Sequence, residues 1–74
     1  MRNKYYTPYV ISERINDILQ SHDVTDKEAA LAVGMDRKAI FNYRHGVTAP
    51  SIKFVRWICA NYHIDANWLL DIKR

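Results

Sequence analysis

Apolar side chains recur along the chain at helical spacing and divide it into short segments. Ile11, Ile15, Ile18 and Leu19 fall at i, i+4, i+7 and i+8, which is the single apolar stripe of an amphipathic helix. Thr7-Pro8 ahead of them is a typical helix start, because proline is tolerated in the first turn. Read in the same way, the chain predicts an N-terminal arm over 1–7 and helices over 8–22, 26–33, 37–45, 51–62 and 66–72.

The two central helices carry clear start and stop signals. Thr25 and Glu28 have the spacing of a capping box, in which each side chain satisfies a free amide at the helix start. Gly34 can adopt the left-handed conformation that ends a helix, Asp36 restarts the chain as an N-cap, and Gly46 is the second stop. Helices this short cannot bury a core of their own, so we expect flanking structure to support them.

Spacing also predicts how these two helices pack. Ala30 falls where a close crossing needs a small side chain, Gly34 supplies the positive φ of the turn, and Ile40 faces back between the helices. The remaining buried positions of the pair are predicted to be Ala29, Val33, Met35 and Tyr43.

The fourth helix is less regular than the others. Its predicted core face is Val55, Ile58, Cys59 and Tyr62. Phe54 and Trp57 lie off this stripe, so the helix is apolar over more than one face.

Composition indicates one small all-α domain without a dividing linker. The chain has 74 residues, 49% of them hydrophobic and 26% charged, with a formal net charge of +3. That charge is compatible with a polyanionic partner. A single cysteine rules out a disulfide framework and fits a reducing cytoplasm, and no apolar run reaches the roughly 18 residues that a membrane helix needs. The expected setting is therefore the cytoplasm.

Catalytic and metal-binding signals are weak. Cys59 and His63 are four residues apart, but two ligands without a third do not make a zinc site, and Cys59 is more simply a small buried hydrophobe. No carboxylate pair, nucleophile elbow or phosphate-binding glycine loop is apparent. The sequence therefore predicts neither an enzyme nor a cofactor or metal.

The outward face of the third helix has the chemistry of a DNA reader. Arg37 and Lys38 can donate to guanine, Asn42 can pair with adenine, and Phe41 can contact a thymine methyl group. The alternative without a DNA-binding function is that the two cations simply form a solvent-exposed helix face and that Phe41 is a peripheral core residue. A short helix pair with this spacing is the unit that places its second helix in the major groove.

Several motifs point to a known family. They are I-x-x-I-L in the first helix, T-x-x-x-A-A-x-x-V-G-M, A-I-x-x-Y-x-x-G, P-S, I-C-x-x-Y-x-I and the closing N-W-L-L. From about Ile11 to Leu70 the chain resembles the Cro/phage-repressor type of helix-turn-helix family, also called XRE-like. The resemblance implies a compact five-helix lambda-repressor-like domain that binds a partly palindromic DNA operator as a homodimer and regulates transcription.

A set of DNA contacts follows from this interpretation. Bases would be read by Arg37, Lys38, Phe41 and Asn42. The DNA backbone would be held by Thr25, Lys27, Arg44, His45, Val47 and Thr48, with Arg2 and Lys4 as additional contacts from the arm. The most specific function that the resemblance implies is that of a phage- or mobile-element-type repressor, encoded by a bacterium or a phage and associated with the nucleoid.

Three positions depart from the family pattern. Asp26 stands where members usually carry a glutamine that touches phosphate, so we expect weaker or displaced backbone contact there. Leu19 and Arg44 replace an Arg–Glu pair that many members bury, which predicts that Arg44 is available to DNA. Phe54 and Trp57 occupy positions that are commonly polar.

These aromatic residues leave two interpretations open. They could form a homodimer seam, because exposed aromatics are enriched at interfaces, or they could pack under the arm. The predicted dimer surface consists of Phe54, Trp57, Asn61 and Trp68, of which Trp68 fits better as a lid on the core. Alternatively, the chain is a protein-interaction module of the same fold that uses Phe54 and Trp57 to bind an antirepressor or a toxin.

Overall fold

A computed structural model describes residues 9–72 of the chain as an all-α arrangement. The helices are α1 Tyr9–Ser21, α2 Asp26–Val33, α3 Arg37–Arg44, α4 Ile52–Tyr62 and α5 Ala66–Leu69, and these residues form no strand. The predicted all-α class with five helices is thus confirmed for this part of the chain. The predicted arm contacts Arg2 and Lys4 lie outside the described residues, and so do residues 73–74. Within residues 9–72, every helix is too short or too polar to cross a bilayer.

Most helix boundaries lie within one residue of their predicted positions. The α2 bounds coincide with the prediction, α3 ends one residue early, and Ser51 serves as the N-cap of α4. The exception is α5, which was predicted over 66–72 and makes a single turn. Leu70 caps it, and Asp71 then takes a positive φ of 59° that cannot continue a right-handed helix.

The connection between α2 and α3 is built as the sequence predicts. Thr25 and Glu28 form both halves of the capping box at the α2 start. Gly34 has φ 74°, and its N–H donates to the Ala30 carbonyl at 2.8 Å, while the Met35 N–H donates to the same oxygen at 2.9 Å. The shared acceptor closes the helix end and turns the chain sharply toward α3.

The core lies between α1, α2 and α3 and is closed by α4 and α5. The α1 stripe is buried as predicted, and Ala30 and Ile40 are both in the interface between α2 and α3. The buried apolar side chains are Ile11, Ile15, Ile18, Leu19, Ala29, Ala30, Val33, Ile40, Tyr43, Phe54, Ile58 and Leu69.

The predicted core face of α4 was correct at Ile58 but missed Phe54, which is also fully buried. Phe54 is 0% exposed and is the largest fully buried side chain, and Ile58 is buried one turn later. Val55, Cys59 and Tyr62 are only partly buried. The face turns toward Phe54 because the ring fills the space beside Tyr43 of α3, at 5.0 Å between ring centroids. Phe54 is therefore not an exposed interface residue.

The end of α3 is fixed closely against the start of α1. Ser12 is 1% exposed, and its hydroxyl donates to the Tyr9 carbonyl at 2.8 Å. Gly46 follows α3 with φ 72°, and a Cβ at this position would lie 3.3 Å from the Ser12 Oγ. The contact allows the backbone after α3 to pass directly over α1, which sets the angle at which α3 is presented.

Candidate nucleic-acid interface

An open depression of about 400 Å³ lies between the start of α2 and the outer face of α3. Arg37, Lys38 and Phe41 of α3 line one side, and residues 25–27 line the other. Phe41 is 46% exposed, so it is a surface residue and not a peripheral core residue. Three of the four predicted base-reading residues thus share one surface. Asn42 is partly buried and does not line the depression.

The two cations of this surface lie at the start of α3, directly after the carboxylate of the Asp36 N-cap. Arg37 and Lys38 are exposed in the first turn of α3, which contains no acidic residue. The N-terminus of a helix carries partial positive charge, so cations there are electrostatically unfavourable. On the opposite face, Ile40 and Tyr43 are buried and hold the helix in place. The arrangement presents positive charge on a rigid element, which is what an anionic partner requires.

Arg44 is paired within the fold, whereas the sequence predicted that it is available to DNA. Its Nη1 lies 2.7 Å from Asp26 Oδ1, and its Nε donates to Asn16 Oδ1 at 2.8 Å. The side chain is only 14% exposed. The guanidinium joins the end of α3 to α2 and to α1, because a largely buried cation needs acceptors and both neighbours supply one.

The same contact changes the interpretation of Asp26. This carboxylate was expected to repel phosphate, but its charge is balanced by Arg44 at 2.7 Å. Asn16 of α1 completes the site.

Thr25, a predicted contact to the DNA backbone, uses its hydrogen-bonding groups to cap α2. Its hydroxyl accepts from the Glu28 N–H at 3.1 Å and lies 3.2 Å from Glu28 Oε1, to which it can donate its proton. Its backbone N–H donates to the same carboxylate oxygen at 2.9 Å. While this capping box is intact, both Thr25 donors are occupied, which leaves Lys27 as the exposed donor at this end of α2.

The other predicted backbone contacts lie beyond the end of α3. His45 is exposed, stacks on Phe41 with 3.9 Å between ring centroids, and has Nδ1 2.8 Å from the Phe41 carbonyl oxygen. Val47 is 64% exposed, and Thr48 is also exposed. Of these residues, His45 is the one that contacts Phe41 and thereby adjoins the depression.

The predicted dimer residues do not all behave alike. Phe54 is excluded by its burial, whereas Asn61 is exposed. Trp57 is partly buried, with its ring 5.8 Å from both Phe54 and Tyr62. Trp68 is 45% exposed and lies under the Arg14 guanidinium, 4.6 Å from its ring centroid. Trp68 thus covers the contact between α1 and α5 while keeping much of its surface exposed.

Cys59 is a partly buried thiol on α4. Burial, with a smaller contribution from the charge of Asp65, raises the pKa of this thiol. It therefore stays protonated at neutral pH and is a poor nucleophile. Within residues 9–72, histidines, cysteines and carboxylates do not come together in groups of three that could hold a metal ion.

Comparison with known proteins shows a similarity to a bacterial antitoxin. The chain is 27% identical over 56 residues to the antitoxin PezA of Streptococcus pneumoniae serotype 4. The match includes 76% of this chain and 35% of that protein, so the chain spans about a third of the length of the curated relative it matches. Neither a protein-family model nor a solved structure matches the chain.

Proposed function

We propose that this chain is a sequence-specific double-stranded DNA-binding regulator of transcription that inserts α3 into the major groove. The observation that carries the proposal is the exposed cluster of Arg37, Lys38 and Phe41 on a helix whose opposite face is buried. Hydrogen-bond donors and an apolar ring on one rigid helix face match what base edges present in the major groove. The short α2–turn–α3 unit is of the type that docks in this manner.

The residues divide into readers and anchors. Arg37 and Lys38 donate to guanine O6 and N7, and Phe41 contacts a thymine methyl group, whereas Asn42, being partly buried, reaches adenine only at the edge of the surface. Lys27 and the exposed segment Val47-Thr48 contact phosphates. Arg44 is removed from this set because it is bound to Asp26 and Asn16.

Asp26 does not argue against DNA binding in this arrangement. Its pairing with Arg44 leaves the local charge of the two residues balanced, while Lys27, Arg37 and Lys38 supply positive charge around the same depression. The chain as a whole carries a formal charge of +3. The proposed regulator acts as a homodimeric repressor on a partly palindromic operator, because two copies of a short reading helix double the length of sequence that is read.

Binding of the purified protein to DNA at several salt concentrations tests the proposal. The probes are duplexes of about 20 base pairs, which span two half-sites, first with random sequence and then with sites selected from the random pool. We expect a complex whose affinity falls steeply between about 50 and 200 mM salt, because phosphate contacts release counterions. The proposal is wrong if no complex forms, or if its affinity does not depend on salt.

A second candidate is a module that binds a protein partner such as a toxin, since a protein similar to this chain is named as an antitoxin. Phe54 cannot anchor such a partner because it is fully buried, so the aromatic surface reduces to Trp57 and Trp68. The variant Trp57→Ala separates the two candidates. Sedimentation measures whether the variant self-associates to the same extent as the wild type. Loss of self-association supports the homodimer, whereas an unchanged oligomeric state together with lost binding to a candidate toxin supports the partner module.

A further inference from the structure

His45 holds one of its two ring nitrogens in a fixed contact. Nδ1 lies 2.8 Å from the carbonyl oxygen of Phe41, one turn earlier on α3, and the imidazole stacks on the Phe41 ring with 25° between their planes. Phe41 in turn lines the depression of the proposed DNA surface. The two rings therefore form one exposed unit at the end of the reading helix.

This contact determines which ring nitrogen carries the proton. A backbone carbonyl oxygen can only accept a hydrogen bond, so Nδ1 must be the donor. In the neutral imidazole the lone pair is then on Nε2, which can accept but not donate. Among the described residues, Nε2 has no hydrogen-bond partner, so it is presented to whatever binds this surface.

We propose that His45 is a proton-dependent contact to a phosphodiester oxygen of DNA. In the neutral form, the Nε2 lone pair faces the phosphate oxygen and the two acceptors repel each other. When Nε2 takes a proton from solvent, the imidazolium donates to that oxygen and adds a charge-assisted hydrogen bond. The inference rests on the proposed DNA-binding function and adds a dependence on pH to the backbone contact predicted at this residue.

Among the described residues, no acidic group near His45 pairs with its imidazole. On its own helix, the neighbouring Arg44 is directed to Asp26, which is the carboxylate that α2 contributes at this end of α3. From α1, the phenol of Tyr9 lies beside Gly46. The segment 46–50 carries no ionisable side chain. No carboxylate of the described residues pairs with His45, so a phosphate is the anion that would favour its charged form.

His22 provides a matched control. Its Nδ1 also lies 2.8 Å from a backbone carbonyl, that of Ile18, and its ring packs against Tyr62 at 4.3 Å between centroids. It lies at the end of α1 and not on the proposed DNA surface. The two histidines thus share a similar local geometry and differ in location.

The test measures DNA affinity as a function of pH. Wild type, His45→Gln and His22→Gln are titrated against one selected duplex of about 20 base pairs, between about pH 5.5 and 8 at constant ionic strength. We expect wild-type affinity to rise about three- to tenfold as the pH falls, because one proton is taken up on binding. His22→Gln should keep this profile, and His45→Gln should flatten it to within about twofold. Circular dichroism at each pH verifies that all three proteins stay folded.

A second measurement does not depend on DNA. Long-range ¹H–¹⁵N spectra of the uncomplexed protein at about pH 8, where imidazoles are neutral, identify the protonated nitrogen of each histidine. We expect Nδ1–H at His45, and a predominant Nε2–H form overturns the inference. Binding with the same pH profile in wild type and His45→Gln overturns it as well, while leaving the proposed function intact. Absence of any complex across the pH range overturns both.

Discussion

Arg44 and Asp26 form an ion pair with 2.7 Å between Nη1 and Oδ1, although they belong to different helices and are 18 residues apart in sequence. The same guanidinium donates to Asn16 of α1. One side chain thereby links α1, α2 and α3, and it does so at the end of the helix that carries the proposed reading surface. Its function is to hold that helix in position.

Arg44→Met should destabilise the fold by about 1–3 kcal/mol, because Asp26 loses its partner while staying partly covered. The cost is kept moderate since the Asp26 side chain is 28% exposed and water can solvate it. A chain of this size loses roughly 4–8 °C in Tm for each kcal/mol, so thermal unfolding by circular dichroism measures the effect. Arg56→Met, at an exposed position on α4, is the control and should change Tm little.

The double variant Arg44→Met with Asp26→Leu should recover part of the loss, because neither partner is then left as an unpaired charge. If Arg44→Met leaves Tm unchanged but weakens DNA binding equally on all sequences, Arg44 contacts phosphate and does not serve to hold α3 in position.

Arg37→Ala should weaken binding to a selected duplex by about 1–3 kcal/mol and relax the preference at one base pair. The physical reason is the loss of a donor pair to a base edge, since the exposed side chain makes little contribution to stability. Site selection from random DNA measures the preference, and Arg56→Ala serves as an equally charged, exposed control. Unchanged preference in Arg37→Ala would mean that the reading face lies elsewhere.

Phe54→Ala should cost about 3–5 kcal/mol, because it empties a fully buried site between α3 and α4. A chain this small has little stability to lose, so the variant should be largely unfolded at 25 °C. Denaturant titrations at several protein concentrations provide the measurement. If Phe54 is a core residue, the loss of stability does not depend on protein concentration. If Phe54 lies in a seam between subunits, the loss of stability disappears as the protein concentration rises.

Gly46→Ala should be more destabilising than Gly34→Ala, although both glycines have nearly the same φ, 72° and 74°. The added Cβ at Gly46 meets the buried Ser12 Oγ at 3.3 Å, while that at Gly34 meets only the flexible end of Lys53 at 3.4 Å. Backbone strain of about 1–2 kcal/mol is common to both. In thermal unfolding, Gly46→Ala should therefore have the lower Tm of the two variants. Equal decreases in Tm would show that the packing over Ser12 is not tight.

Local signals explain why the helices were predictable. The capping box at Thr25, the left-handed Gly34 and the Asp36 N-cap act within one or two turns of backbone, so their effects can be read from neighbouring residues. The α1 stripe was predictable for the same reason. Prediction failed at α5, where the positive φ of Asp71 ends the helix without a glycine to mark the position.

Contacts between distant residues were not predictable in this way. The orientation of α4 depended on which aromatic ring fills the space beside Tyr43, and Phe54 rather than Tyr62 does so. A helix that is apolar over a wide arc has several faces of similar hydrophobicity, so periodicity alone does not select among them. The predicted dimer role of Phe54 failed for this reason.

The sequence by itself determined the all-α class, the central pair of helices and the exposed cations at the start of α3. These depend on short-range capping and on a helical period, which are properties of consecutive residues. Only the tertiary structure decided that Arg44 binds Asp26 and Asn16, and that His45 has its Nδ1 committed to Phe41. Such contacts depend on how helices cross and how side chains rotate, because a charged or polar group pairs with whichever acceptor the packing brings within reach.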